Sequence, residues 1–330
     1  MAHVARAPVV IAPASIEGFF DAVGSFFGNL AGLQFGPLVL GAALFVGYLS
    51  LRARAYFHVL RAAYPSEQFE FRRIWGAYMS AYGINNVLPA RAGDVMKLYL
   101  VKTSIPNAHY PAVGSAMFVE AIFDAIMAVF ILAFAFSQGV FPKPPDFADL
   151  DAFDLSFLAQ NPRLTLFILT AVAVGALVLF AVLSARVKAF WARMRQGVVI
   201  LQDRRRYLRE VFGLQCAGWL LRFAAMWAFL EAFNIGGSVQ NTLLVLGTYA
   251  VAAVVPITPS GAGVQQVLIL QVFAGTAATA TVAAYSVGLA IAVGGTTLIV
   301  GFLALVFIFD IRSFGEAVRR GKADRDAATA

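Results

Sequence analysis

The chain has 330 residues, of which 60% are hydrophobic and only 13% charged, with a formal net charge of +7. Soluble domains carry about 25% charged residues, so a soluble globular fold is excluded. The apolar runs are continuous, not alternating, and several exceed the roughly 18 residues that span a bilayer, which excludes a β-barrel and predicts an all-α, polytopic membrane protein. In such a composition the positive charge belongs to cytoplasmic loops, not to nucleic-acid binding. One cysteine, Cys216, and three scattered histidines, His3, His58 and His109, offer neither a disulfide nor metal-ligand spacing, so no metal or cofactor is expected. No linker between apolar runs exceeds roughly 35 residues, against about 50 for a soluble catalytic domain, so the expectation is a protein that is not an enzyme.

In chain order, residues 1–35 read as a short lead-in followed by an amphipathic helix. Ile16, Phe19, Phe20, Val23, Phe26, Phe27 and Leu30 form one stripe, and Glu17, Asp21, Gly24, Gly28 and Gly32 the other. An interfacial helix and a spanning helix packed through its glycines both fit; the two carboxylates weigh toward the former. A multi-spanning region covers 36–311, with clear spans at 36–51, 111–137, 165–184, 211–234 and 281–309. Two further apolar regions, 74–103 and 239–276, are each interrupted by Pro and Gly. A basic tail occupies 312–330.

Charge sets the expected orientation. The linker 52–73, the stretch 186–209 with Arg204, Arg205 and Arg206, and the tail are rich in arginine and should be cytoplasmic. The linker 139–163, with Asp146, Asp149, Asp151 and Asp154, should lie outside. These sides are compatible only if 74–103 enters and leaves from the cytoplasmic side and 239–276 from the other. Each is then a re-entrant hairpin or a pair of short spans. Span, broken hairpin, span therefore occurs twice in opposite senses, the pattern of an inverted repeat.

The two breaks carry the chemistry. In the first, Asn85, Asn86, Pro89, Arg91, Gly93, Asp94 and Lys97 gather amides and charges in an oily chain. Pro89 removes an N–H, Gly93 tolerates unusual torsions, and the restarting helix N-terminus attracts anions. Arg91 is a planar cation suited to phosphate, and Asp94 can cap the helix or pair with it. An anionic headgroup or ion site and a self-satisfied interfacial loop both remain open. In the second break, Pro256 and Pro259 with Gly261 and Gly263 cannot be regular helix. There Thr258, Ser260, Gln265 and Gln266 can satisfy freed backbone or bind a polar ligand. Glu120 and Asp124 lie at i, i+4 on one helix face, far from its ends. Their candidate partners are Arg91, Lys97 and Arg222, in a structural ion network or a proton relay.

The run Asn86-x-x-Pro89-Ala90-Arg91-x-Gly93-Asp94, followed by Glu120 and Asp124, resembles the transmembrane region of the lysylphosphatidylglycerol synthase/flippase family. Pro259-Ser260-Gly261-Ala262-Gly263-Val264 is similar to that family's second motif, and the resemblance covers roughly 36–309. It implies a multi-spanning lipid flippase or lipid-handling module in a prokaryotic cytoplasmic membrane, sometimes fused to an aminoacyl-transferring domain. The family's additional charged positions are Ala121, Gln266 and Ser286 here, so the ion network is thinner than the family's. Lysyl transfer is not implied.

The expected function is movement of a phospholipid or glycolipid with a polar or anionic headgroup. Asn85, Asn86, Pro89, Arg91, Asp94, Lys97, Glu120, Asp124, Arg222, Thr258, Ser260, Gly261, Gly263, Gln265 and Gln266 would form its site. Two other readings stand beside it: an accessory subunit presenting lipid to a soluble transferase at the cytoplasmic face, and a small-molecule or ion transporter. A homo-oligomer is compatible with all three.

Overall fold

A computed structural model describes residues 32–88, 91–137, 187–252, 264–273 and 278–311. The lead-in before them, the acidic linker, the expected span 165–184, the second break with Thr258, Ser260, Gly261 and Gly263, the basic tail and Pro89 lie outside the described residues.

The described residues are helical. In chain order they form α1 (Phe35–Ala63), α2 (Phe71–Val87), α3 (Ala92–Ser104), α4 (Tyr110–Ser137), α5 (Val187–Gly197), α6 (Arg204–Ala232), α7 (Val239–Ala252), α8 (Val264–Val272) and α9 (Thr279–Phe309). Four segments are long and apolar enough to cross a membrane: α1, residues Tyr110–Ile131 of α4, α6 and α9. Helix ends follow the prolines. Tyr64 precedes Pro65 and leaves helical torsions, and Ile105 is extended before Pro106. Within α6, Leu208–Phe212 form a π turn.

The expected first span, 36–51, is too short. The helix runs on through Arg52 to Ala63, because one charge with internal partners does not end a helix whose neighbours Leu49, Ala53, Tyr56 and Leu60 are buried.

α1 and α6 pack antiparallel at the centre. Gly41 lies against the Phe229 ring, Gly47 against Leu221, and Gly218 against Tyr48 and Arg52. At one end the Gln34 N–H donates to the Ala232 carbonyl at 2.9 Å; at the other, His58 Nδ1 lies 3.4 Å from Glu210. Arg54, Arg61, Arg72, Arg193 and Arg204–Arg206 belong to this second, basic end.

α2 and α3 form a helical hairpin. Arg72 at its start donates to the Phe307 carbonyl at 3.1 Å. After α3 the chain returns to the same end, where Asn107 donates to Glu67 and the His109 N–H to the Tyr64 hydroxyl. Both hairpin ends are therefore basic-end features. Its break stands opposite Thr297, to which Asn86 donates at 2.7 Å. Thr297 is twelve residues from Phe309, about 18 Å of helix. α7 and α8 also pack together, flanking residues 253–263. They join the bundle at the opposite end, where Phe233 and Phe273 meet Tyr285.

Exchanging α1 with α6, α2 with α7, α3 with α8 and α4 with α9 maps most helix contacts onto one another. The α2–α9 contact becomes α7–α4, α3–α4 becomes α8–α9, and α1–α2 becomes α6–α7.

The α2–α9 contact depends on absent side chains. A Cβ at Gly83 would stand 2.7 Å from the Thr297 carbonyl oxygen, and one at Gly301 2.7 Å from that of Met79. The Ser80 hydroxyl, bonded to the Gly76 and Gly301 carbonyls, adds a polar tie. Beside it, Gly83, Val87, Leu88, Leu298 and Phe302 line an apolar cavity of about 360 Å³.

Two predictions follow from this packing. Gly301→Val forces backbone against side chain and should destabilise by about 1–3 kcal/mol, read as a fall in the unfolding midpoint in detergent. Gly295→Ala, with nothing within 4 Å of the new Cβ, should not. Single cysteines at positions 107 and 205, in a Cys216→Ala background, should label from the same membrane face and one at 239 from the opposite face. Labelling of 107 and 205 from different faces would refute the hairpin arrangement.

Candidate functional site

The site begins with Arg52 on α1. It lies eleven residues from Ala63, about 16 Å of helix, close to half the roughly 30 Å hydrocarbon thickness. Arg52 is only 4% exposed, so its donors need internal acceptors. Nη1 and Nη2 each donate to Asp124 at 2.7 Å, a bidentate pair across to α4. Nη1 also donates to the Tyr48 hydroxyl at 3.1 Å and Nε to the Tyr78 hydroxyl at 2.9 Å. Trp219 of α6 donates its indole N–H to Asp124 at 3.3 Å.

One turn away on α4, Glu120 accepts from the Lys97 ammonium at 3.0 Å, and both side chains are buried. Lys97 sits over the rings of Tyr56 and Tyr78, at 4.4 and 4.1 Å from their centroids. The second Glu120 oxygen lies 3.9 Å from Arg52 Nε, beyond hydrogen-bond reach. α1, α2, α3, α4 and α6 thus meet in one charged, tyrosine-rich centre.

α7 and α8 reach it from the other side. Arg222 on α6 lies over Trp219 at 4.7 Å, Tyr48 at 5.5 Å and Tyr249 at 5.7 Å. Tyr249 shares a side-chain hydrogen bond with the buried Gln265. Gln266 is only partly buried.

Of the predicted site residues, the structure brings Lys97, Glu120, Asp124, Arg222 and Gln265 into or beside this centre. Asn85 and Asn86 build the break instead. Asn85 accepts from the Gly93 N–H at 2.8 Å and donates to Asp94 at 3.1 Å, stapling the start of α3 to the end of α2. The unusual torsion expected at Gly93 is at Arg91, which caps α3 with φ 54°. Gly93 is required for space: a Cβ there would collide with the Ala81 carbonyl and the Asn85 amide. Arg91 is exposed and, among the described residues, makes no ion pair with Asp94. Nor does it reach Glu120 or Asp124; Arg52, assigned to a cytoplasmic linker from sequence, takes Asp124. The spacing Tyr48-Arg52-Tyr56, i, i+4, i+8 on one face, is the signal that could have revealed it.

These features define a class: a polytopic helical membrane protein with a buried charge centre at mid-helix depth. Within that class, the chain belongs to the family of the lysylphosphatidylglycerol synthase TM region, whose family model matches residues 22–304. No curated protein and no solved structure matches it.

Removing one partner of the central pair should cost more than removing both. Arg52→Ala strands Asp124 and should destabilise by about 3 kcal/mol, the lower end for a buried pair because the Asp124 side chain keeps 38% exposure. Arg52→Met with Asp124→Leu should recover most of that loss. Equal unfolding midpoints for the single and double variants would show that the pair contributes nothing.

Proposed function

We propose that this protein is a flippase-like lipid transporter of a prokaryotic cytoplasmic membrane, moving a lipid whose polar, anionic headgroup passes through the charge centre. The carrying observation is the centre itself: Arg52, Lys97, Arg222, Glu120 and Asp124 contacted by helices of both hairpins, with Asp124 half-way along the spanning α4. Charges at that depth are expensive in hydrocarbon and mark substrate or ion pathways. In this reading the basic end is cytoplasmic, the hairpins re-enter from opposite faces, and the two halves form an inverted repeat that rocks about the centre. The apolar cavity between α2 and α9 favours a lipid over a small solute. It adjoins the polar break at Val87 and Leu88, so an acyl chain can lie beside a headgroup held further in.

The test is a leaflet-accessibility assay in proteoliposomes with tail-labelled phospholipids. The wild-type protein should move phosphatidylglycerol between leaflets. Lys97→Gln with Glu120→Gln keeps packing and hydrogen bonding but discharges one pair; it should fold normally and lower the rate at least ten-fold. Wild-type vesicles that move no lipid but release a trapped small anion would replace lipid movement by solute transport.

A further inference from the structure

The exposure of the charged side chains in the centre changes with depth. Counted along its own helix from the basic end, Lys97 stands seven residues from Ser104, Glu120 ten from Tyr110, Arg52 eleven from Ala63 and Asp124 fourteen from Tyr110. These are depths of about 10, 15, 16 and 21 Å. The first three side chains are 7, 5 and 5% exposed, whereas that of Asp124 is 38% exposed. The groups around them follow the same order. Tyr56 and Tyr78 are buried, while Tyr82, one turn beyond Tyr78, Tyr249 and Arg222 are partly exposed. Tyr48, whose ring Arg222 faces at 5.5 Å, is buried.

The uncovered part of Asp124 does not belong to the lipid-facing surface of α4. That surface is the stripe Phe118, Ile122, Ile126, Val129 and Phe130, all exposed. Ile122 and Ile126 are each two positions from Asp124, about 200° around the helix, so Asp124 lies on the other side. Beside it come Ala121 and Ala125, both exposed, and the partly buried Ala128, side chains too small to cover a carboxylate. A carboxylate at this depth is costly against hydrocarbon and is tolerated where water reaches it.

Toward the basic end the centre is closed. The Tyr56 hydroxyl donates to the Val113 carbonyl at 3.1 Å, bracing α1 against α4 between Glu120 and that end. Ala112, Val113 and Ala116 of α4, Ile200 ahead of α6 and Val211 within it are all buried. The end of α5 seats on this layer so closely that a Cβ at Gly197 would collide with Ser115 and the Ala112 carbonyl. In the other direction the polar groups lead outward. Asn85, Asn86 and Asp94 at the first break are partly exposed and Arg91 is exposed.

We infer that the centre is the floor of a water-filled vestibule, open to the face opposite the basic end and closed toward the basic end. Asp124, Arg222, Tyr82 and Tyr249 are its wetted groups. Arg52 and Trp219 supply three donors to Asp124, and a carboxylate accepts roughly four, so water completes its shell from the open side. A lipid headgroup and a free solute would both meet the centre from that face, so the vestibule stands apart from the lipid-transport reading.

Single cysteines in a Cys216→Ala background, in vesicles of known orientation, test this with a membrane-impermeant thiosulfonate and need no lipid movement. Ala128→Cys, one turn beyond Asp124, should react from the face opposite the basic end at least ten-fold faster than from the basic face. It should also react at least ten-fold faster than Ile126→Cys on the lipid-facing stripe. Ala116→Cys, one turn from Glu120 toward the basic end, should be protected from both faces. All three should react alike in denaturant, which shows that each thiol is present. Ala128→Cys reacting no faster than Ile126→Cys would set the uncovered side of Asp124 against lipid and overturn the vestibule. Faster reaction of Ala128→Cys from the basic face, or ready reaction of Ala116→Cys from that face, would overturn its closure there.

Discussion

The Arg52–Asp124 pair is the constraint on which the rest of the bundle depends. A guanidinium about 16 Å from the helix end has no water to turn to, so every donor it keeps must be matched by another protein group. Asp124 on α4, Tyr78 on α2 and Tyr48 one turn back on α1 answer it, and Trp219 of α6 completes the shell of Asp124. These are directional bonds, so they fix how α1, α2, α4 and α6 are rotated about their axes, which lipid-facing apolar contacts alone do poorly. Glycines then set the distances. Gly41, Gly47 and Gly218 bring α1 to α6, and Gly83 and Gly301 bring α2 to α9.

Polar groups at such depth are costly to hold away from water. Leucine and phenylalanine would pack the same space at less cost. The centre instead combines three cations, two carboxylates and a shell of tyrosines. Tyrosine suits such a position because its ring packs like a hydrophobe while its hydroxyl accepts from arginine, and its face receives a cation. Lys97 between Tyr56 and Tyr78 uses the face; Arg52 uses the hydroxyls.

Much of the fold was legible in the sequence, because hydropathy and length report a membrane span directly. α4, α6 and α9 lie where the apolar runs put them, and the interruption at Pro89 falls between α2 and α3. The charge centre was half legible. Glu120 and Asp124 announce a shared face by their spacing, but their partners depend on tertiary packing: Arg52 is 72 positions from Asp124. A hydropathy reading stops a span at its first arginine, and so discarded the residue on which the centre turns. Arg91 failed in the opposite way. Its nearness to Asp94 in sequence suggested a pair, yet the left-handed torsion that lets α3 begin also leaves its side chain exposed, while Asn85 serves Asp94.

The π turn at Leu208–Phe212 gives α6 one residue more than an α-helix would place there. An added residue advances the helix phase by about 100°, so the two portions of α6 are set independently in azimuth. The turn itself is held to α1 by Glu210 beside His58; the inner portion is keyed by Trp219 to Asp124. An unbroken α-helix could satisfy one keying or the other. A single-codon deletion in this turn would therefore act at a distance, swinging Trp219 and Arg222 out of the centre without altering any residue that lines it.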